Sequence, residues 1–166
     1  GLYLLPAAVT GFFTGPLSGV LSTRWGPKWP LSIGMTLGSI GLVILALWHE
    51  EPWQIVLGML VLGGGLPMTF GAMANVIVNS VRPTETGVAT GMNTVMRTVG
   101  GVIGGQLGAA ILTAKTIGDT SVPAESAFTT AFWVSAAASL VGAGVALLIT
   151  PLTRRRAAAR ARIEPA

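Results

Sequence analysis

Five segments of this 166-residue chain are each long enough and apolar enough to cross a bilayer, and no other property limits its fold as strongly. Spanning a hydrocarbon core of about 30 Å takes about 20 mainly apolar residues as a helix. Residues 2–21, 29–48, 53–81, 88–114 and 128–150 meet that requirement. Lipid offers no partner to backbone N–H and C=O groups, so a spanning segment is either helical or part of a closed barrel. The segments lack the alternation of barrel strands, and charge, proline or tryptophan bounds each of them. The fold class is therefore all-α, a polytopic transmembrane helix bundle of five spans. A hydrophobic content of 51% with 10% charged residues agrees with a chain that lives in lipid. The intervening breaks 22–28, 49–52, 82–87 and 115–127 are too short for a soluble domain. Residues 1–150 thus read as one five-helix transmembrane unit and 151–166 as a basic tail.

The loops sort by charge. Arg24, Lys28, Arg82 and the tail cluster Arg154, Arg155, Arg156, Arg160 and Arg162 fall on one side, which the excess of Lys and Arg marks as cytoplasmic. His49, Glu50, Glu51, Asp119 and Glu125 fall on the other, with Lys115 as its one basic residue. Trp25 and Trp29 flank the inner boundary, and Trp48 and Trp53 the outer one, as an aromatic belt requires. An odd number of spans puts the N-terminus outside and the C-terminus in the cytoplasm of a multi-pass cell-membrane protein. The high pI of about 10.8 then reflects topology and not nucleic-acid binding. Gly1 opens the chain with neither an initiator methionine nor a polar flank, so the sequence reads as a C-terminal fragment.

Membrane helices associate through close packing at small residues and through interhelical hydrogen bonds. Glycines at small-xxx-small spacing supply such faces at Gly11, Gly15 and Gly19, at Gly34 and Gly38, at Gly87 and Gly91, and at Gly100, Gly104 and Gly108. Two places go beyond packing: Gly15-Pro16 in the first span, and Gly63-Gly64-Gly65-Leu-Pro67 in the third. Proline removes an intrahelical hydrogen bond and glycine loosens the helix around it, so Pro16, Gly63, Gly64, Gly65 and Pro67 are candidate kinks. Interrupted helices at mid-membrane line many transporter sites.

Arg97 lies within the fourth apolar span, where a guanidinium costs about 2.5 to 3.5 kcal/mol on insertion scales and so faces a polar cavity or a partner. At 100° per residue, Thr86, Thr90, Asn93, Arg97 and Gly104 share one face of that span, with Gln106 opposite. Met68, Ala72, Asn75, Asn79 and Arg82 form a second stripe on the third span. One reading makes both stripes the wall of a shared wet cavity, with Asn75, Asn79, Asn93 and Arg97 as substrate-pathway candidates. The other makes the asparagines interhelical glue and lets Arg97 snorkel to the inner interface. No Asp or Glu lies within any span, so a proton-coupled mechanism would need its titrating carboxylate outside these residues.

Gly19-Val-Leu-Ser-Thr-Arg-Trp-Gly-Pro-Lys28 resembles the G-x-L-a-D-R-x-G-r-[KR] cytoplasmic loop signature of the major facilitator superfamily. Gly19, Leu21, Arg24, Gly26 and Lys28 match, and Thr23 stands where the signature is acidic, which leaves no acid for a charge-relay lock. Gly63-Gly-Gly, Ala74-Asn75, Arg82-Pro83 and the run from Gly87 through Asn93 and Arg97 to Gly104 are similar to the last spans of the fourteen-span drug:proton antiporters. The stretch Gly11 to Gly19 echoes the G-x-x-x-G-P motif of antiporters. The resemblance implies a partial C-terminal half of a fold in which two six-helix halves rock around a midplane site. It further implies a proton-coupled exporter of small amphipathic or hydrophobic compounds, whose partners are the bilayer, a substrate, the proton and the N-terminal half.

An enzyme would need a nucleophile with its base, paired carboxylates or a metal cluster, and the spans contain no His, Cys, Asp or Glu. Neither catalytic residues, nor a metal, nor a cofactor is expected. Ser18 and Ser39 read as packing residues or as donors to backbone carbonyls. The alternative to a transporter fragment is a stand-alone five-helix protein with a structural or assembly role.

Overall fold

A computed structural model describes residues 4–117 and 122–148. It contains five long helices: α1 (Leu5–Trp25), α2 (Lys28–Leu47), α3 (Pro52–Ser80), α4 (Thr86–Ala114) and α5 (Glu125–Leu147). All five are long and apolar enough to cross a membrane. A 3-10 turn, Pro83–Glu85, leads into α4. The basic tail and the ends of the first and last predicted spans lie outside the described residues.

The largest departure from the sequence reading is at the first break. α1 does not stop at residue 21 but continues to Trp25, so Gly26 and Pro27 alone separate it from α2. Within this last turn Ser22 Oγ donates to the Ser18 carbonyl (2.7 Å) and Thr23 Oγ1 to that of Val20 (2.8 Å), which keeps the polar run helical. Arg24 sits in the last turn, where a cation complements the helix dipole. Gly26 then takes φ 89° and ψ 152°, a region open essentially to glycine, and ends the helix. The loop signature is therefore a helix end, a two-residue corner and a helix start. α5 likewise begins three residues before its predicted span, at Glu125. The break before it is pinched, with Thr116 bridging Pro123 and Ala124 N–H donating to the Lys115 carbonyl (2.8 Å).

α3 is the centre of the bundle, with α1 against one side and α2 against another, and α5 packs on the far side of α2. Glycine makes both α3 interfaces. A methyl on Gly65 would come within 2.5 Å of the Gly38 nitrogen and 2.6 Å of the Gly34 carbonyl oxygen. One on Gly63 would collide with the Ala7 backbone, and one on Gly11 would meet Pro67 Cγ at 2.9 Å. α3 runs as one helix through Gly63, Gly64, Gly65 and Pro67, and Gly63 and Gly65 are its approach points to α1 and α2. α1 likewise continues through Pro16.

The α2 to α5 seam is stitched by serine. Ser32 Oγ donates to the Ala143 carbonyl (3.0 Å), Ser39 Oγ to that of Ala136 (2.9 Å), and Ser139 Oγ returns a bond to that of Met35 (2.9 Å). The pairs 32 with 143 and 39 with 136 advance in opposite directions by seven residues each, which is antiparallel register over two turns. Ser39 thus satisfies a carbonyl as its sequence context suggests, whereas Ser18 packs fully buried against Gly71 with its hydroxyl unpartnered. The double substitution Ser32→Ala with Ser39→Ala is expected to lower unfolding stability by about 1 to 3 kcal/mol, given about 0.6 and at most about 1.7 kcal/mol per interhelical bond. Thermal melting of the detergent-solubilised protein measures it.

α4 is different. It packs only lightly on α3 and α5, and none of its residues is buried. Its glycines Gly87, Gly91, Gly100, Gly101, Gly104, Gly105 and Gly108 have open space where a Cβ would point.

Candidate functional site at the α3–α4 hairpin

Phe70 lies thirteen residues before Pro83, and Arg97 thirteen after Thr84, so an antiparallel hairpin bent there brings the two to the same level. The structure does so: the Arg97 guanidinium carbon sits 5.3 Å from the centroid of the Phe70 ring. Arg97 is eleven residues into α4, about 16 Å from its start at 1.5 Å per residue. The side chain reaches sideways to α3. Such a contact contributes about 0.5 to 1 kcal/mol when exposed and about 2 when desolvated. Arg97 and Phe70 are both exposed in the described bundle.

The least exposed positions of α4's N-terminal half, Thr86, Ala89 and Asn93, fall on the Arg97 face, so that stripe looks towards α3. Gln106, opposite, is exposed. Thr86, Thr90, Thr94 and Thr98 each return a hydroxyl bond to the carbonyl four residues earlier (2.8 to 3.3 Å), which satisfies them within the helix.

The α3 stripe points elsewhere. At 100° per residue, Asn75 and Asn79 lie about 140° and 180° from Phe70. Their stripe falls between the face that meets α1, where Gly71 abuts Ser18, and the face that meets α2, where Thr69 abuts Gly34. Met68 and Ala72 of the stripe are buried, and Ala72, completely buried, clusters with Leu31 and Ala146. Asn75 Nδ2 donates to the Gly71 carbonyl of its own helix (3.1 Å), and Asn79 is exposed near the helix end. The two polar stripes thus do not face one another across the hairpin. Arg97 and Asn93 belong to one surface, and Asn75 and Asn79 to another on the far side of α3.

The loop-signature residues gather at one end of the bundle: Gly19, Leu21 and Arg24 along the final turns of α1, Gly26 at the corner and Lys28 at the start of α2. At the opposite end His49 Nε2 and Glu125 Oε1 lie 2.6 Å apart, joining the α2–α3 break to the first turn of α5. Neither sequence spacing nor motif points to that pair, whose members are 76 residues apart. Below it a cavity of about 270 Å³ is lined by Leu45, His49, Ile55, Glu125, Phe128 and Phe132. It falls just short of the ~300 to 1,000 Å³ typical of small-molecule pockets. Among the described residues no three of His, Cys, Asp or Glu come together in a metal-binding arrangement.

Comparison with known proteins matches residues 1–165 to the family described as the Major Facilitator Superfamily. The chain is similar to an "Uncharacterized MFS-type transporter YfiU" of Bacillus subtilis (strain 168), at 28% identity over 89 residues. That stretch is 54% of this chain and 17% of the relative, so the match spans under a fifth of the relative's length. No solved structure matches the chain significantly.

Proposed function

Since the chain belongs to the Major Facilitator Superfamily, a family of transporters, we propose that it forms part of a secondary transporter that exports small amphipathic or hydrophobic compounds in exchange for protons. The observation that carries this reading is Arg97, a fixed cation beside an aromatic ring, well inside a spanning helix that the rest of the bundle barely covers. A charge placed there is costly unless it faces a polar path. Arg97 and Asn93 would line that path on α4, while Asn75 and Asn79, on the opposite surface of α3, would contribute only to a second polar surface there. The N-terminal half of the same transporter would complete the path. Its termini in this region would lie outside for the first span and in the cytoplasm for the last, as the loop charges favour.

Among the described residues, α1 to α4 contain no Asp or Glu, and α5 has Glu125 only in its first turn. The group that binds and releases the proton then belongs to a part of the protein beyond these helices. Full-length protein reconstituted in liposomes should move a lipophilic fluorescent cation against its gradient when an opposing pH gradient is imposed. Dissipating the pH gradient should stop the movement. Exchange of dye that ignores the pH gradient would discard proton coupling, and no dye movement at all would discard this substrate class.

A further inference from the structure

The seam between α1 and α3 holds two buried hydroxyls without partners. Thr14 Oγ1 and Ser18 Oγ, one turn apart on α1, are both buried and unbonded. Ser18 lies against Gly71, and the Thr14 methyl is 3.6 Å from where a Cβ on Gly64 would lie. Buried polar groups are otherwise almost always bonded, and the α2 to α5 seam uses Ser32, Ser39 and Ser139 to bond across it. Thr14 and Ser18 belong to a ladder of period four on α1, Thr10, Thr14, Ser18 and Ser22. Beside it runs a second ladder of small residues, Ala7, Gly11, Gly15 and Gly19.

A helix face that repeats every four residues meets its neighbour in the same way after a step of four, about 6 Å along the axis with a turn of about 40°. When α1 steps towards its own N-terminus, a residue no larger takes over each close contact with α3. Gly11 takes the place of Ala7 against the Gly63 backbone, Gly15 that of Gly11 against Pro67, and Ser22 that of Ser18 against Gly71. Thr14 takes the place of Thr10, whose Oγ1 lies 3.1 Å from the Leu60 carbonyl oxygen. Thr10 keeps the Pro6 and Ala7 carbonyls of its own helix (3.0 and 3.1 Å), and Ser22 keeps that of Ser18 (2.7 Å). The opposite step is blocked, because it sets the Ala7 methyl where one on Gly11 would come within 2.9 Å of Pro67 Cγ.

We propose that α1 has two docked registers on α3, one turn apart, and that the protein steps between them. Packed interfaces switch between discrete arrangements and do not deform continuously, so a one-turn ratchet is a true two-state element. α1 is placed to move, since it packs on α3 and touches α2 only lightly. Unwinding Thr23, Arg24 and Trp25 from about 1.5 to about 3.3 Å per residue releases about 5 Å at the corner, which is most of the step. The Leu60 carbonyl that Thr14 gains offsets the Thr23 bond to Val20 that unwinding gives up.

The 166 residues contain no cysteine, so pairs introduced into the full-length protein, with any cysteine elsewhere changed to serine, report the register by disulfide formation in membranes. A disulfide needs Cβ atoms about 3.5 to 4.5 Å apart, and a helical turn is about 5.4 Å, so neighbouring registers are resolved. With Gly64→Cys as the fixed partner, Thr14→Cys should cross-link in the present register and Ser18→Cys only in the stepped one. Thr10→Cys reports the opposite step and Val20→Cys the exposed side of α1, and both should stay at background. Gly15→Ala separates a step from loose packing. In the present register its methyl lies 4.0 Å from Pro67 Cβ, but in the stepped one it meets Pro67 as a methyl on Gly11 would. It should lower cross-linking of the Ser18→Cys pair roughly tenfold. The Thr14→Cys pair should be unaffected by it, which also shows that the variant folds. A Ser18→Cys yield no higher than that of Val20→Cys, equal yields from Thr10→Cys and Ser18→Cys, or no loss from Gly15→Ala would each overturn the proposal. None of these readouts needs a transported solute, so their failure leaves the transport reading untouched.

Discussion

Gly65→Val is expected to leave little folded protein in the membrane, as judged by the monodisperse fraction on size exclusion after extraction in a mild detergent. The reason is local and steric. Even the first carbon of a side chain at Gly65 would sit 2.5 Å from a backbone nitrogen and 2.6 Å from a backbone oxygen of α2, so no rotamer change relieves the overlap. The two helices would have to separate, and with them would go the Gly34–Thr69 and Gly41–Leu62 contacts on the same face. Inserting extra methylenes into a close-packed core costs about 1 to 3 kcal/mol when side chains can yield, and backbone yields less. Gly104→Val on α4 is the matched control, since nothing lies within 4 Å of its Cβ direction. It should preserve the folded yield. Equal loss from both substitutions would mean that valine in these helices is harmful for some reason other than contact.

Arg97→Ala should reduce transport by the full-length protein about tenfold at unchanged expression, on the scale of the ~1 to 2 kcal/mol attributed to a partly desolvated cation–π contact. Arg97→Lys keeps the charge but not the planar group that stacks on Phe70, and should fall in between. Phe70→Leu separates the two possible uses of the arginine. If Phe70 positions the guanidinium, the double variant Arg97→Ala with Phe70→Leu should be no worse than Arg97→Ala alone. If the losses instead multiply, the two side chains act independently and the stacking has no positioning role. Wild-type transport from both Arg97→Ala and Arg97→Lys would remove Arg97 from the pathway altogether.

The existence of the five helices was legible because mean hydropathy over twenty residues is a strong signal and the bilayer admits few alternatives. Their ends were less so. Ser22, Thr23 and Arg24 read as loop by polarity, yet hydroxyls bonding back to their own helix carry α1 through them until Gly26. The glycine spacing announced packing faces but not which of them are occupied, because that depends on which helices meet. Gly34, Gly63 and Gly65 are in close contact, while the equally regular series on α4 faces open space. Angular periodicity correctly grouped Asn75 with Asn79 and Asn93 with Arg97. It could not orient one helix against the next, and that is why two stripes that look complementary lie on different sides of α3. The Arg97–Phe70 pair could have been anticipated by counting outwards from the bend at Pro83. The His49–Glu125 pair could not, since it depends on where α5 docks.

The serine seam sets an order of events at the ribosome. Ser32 and Ser39 emerge 111 and 97 residues ahead of the carbonyls they eventually bind. At about 5 to 20 residues per second, α2 waits on the order of 5 to 20 s for α5. During that interval α1, α2 and α3 can already close on one another through their glycines. Arrival of α5 then completes the serine bonds and ties it to α2. Chains that terminate before α5 would display the open flank of α2 to the membrane. That flank is the natural mark by which a quality-control protease could tell a chain lacking α5 from one that has it.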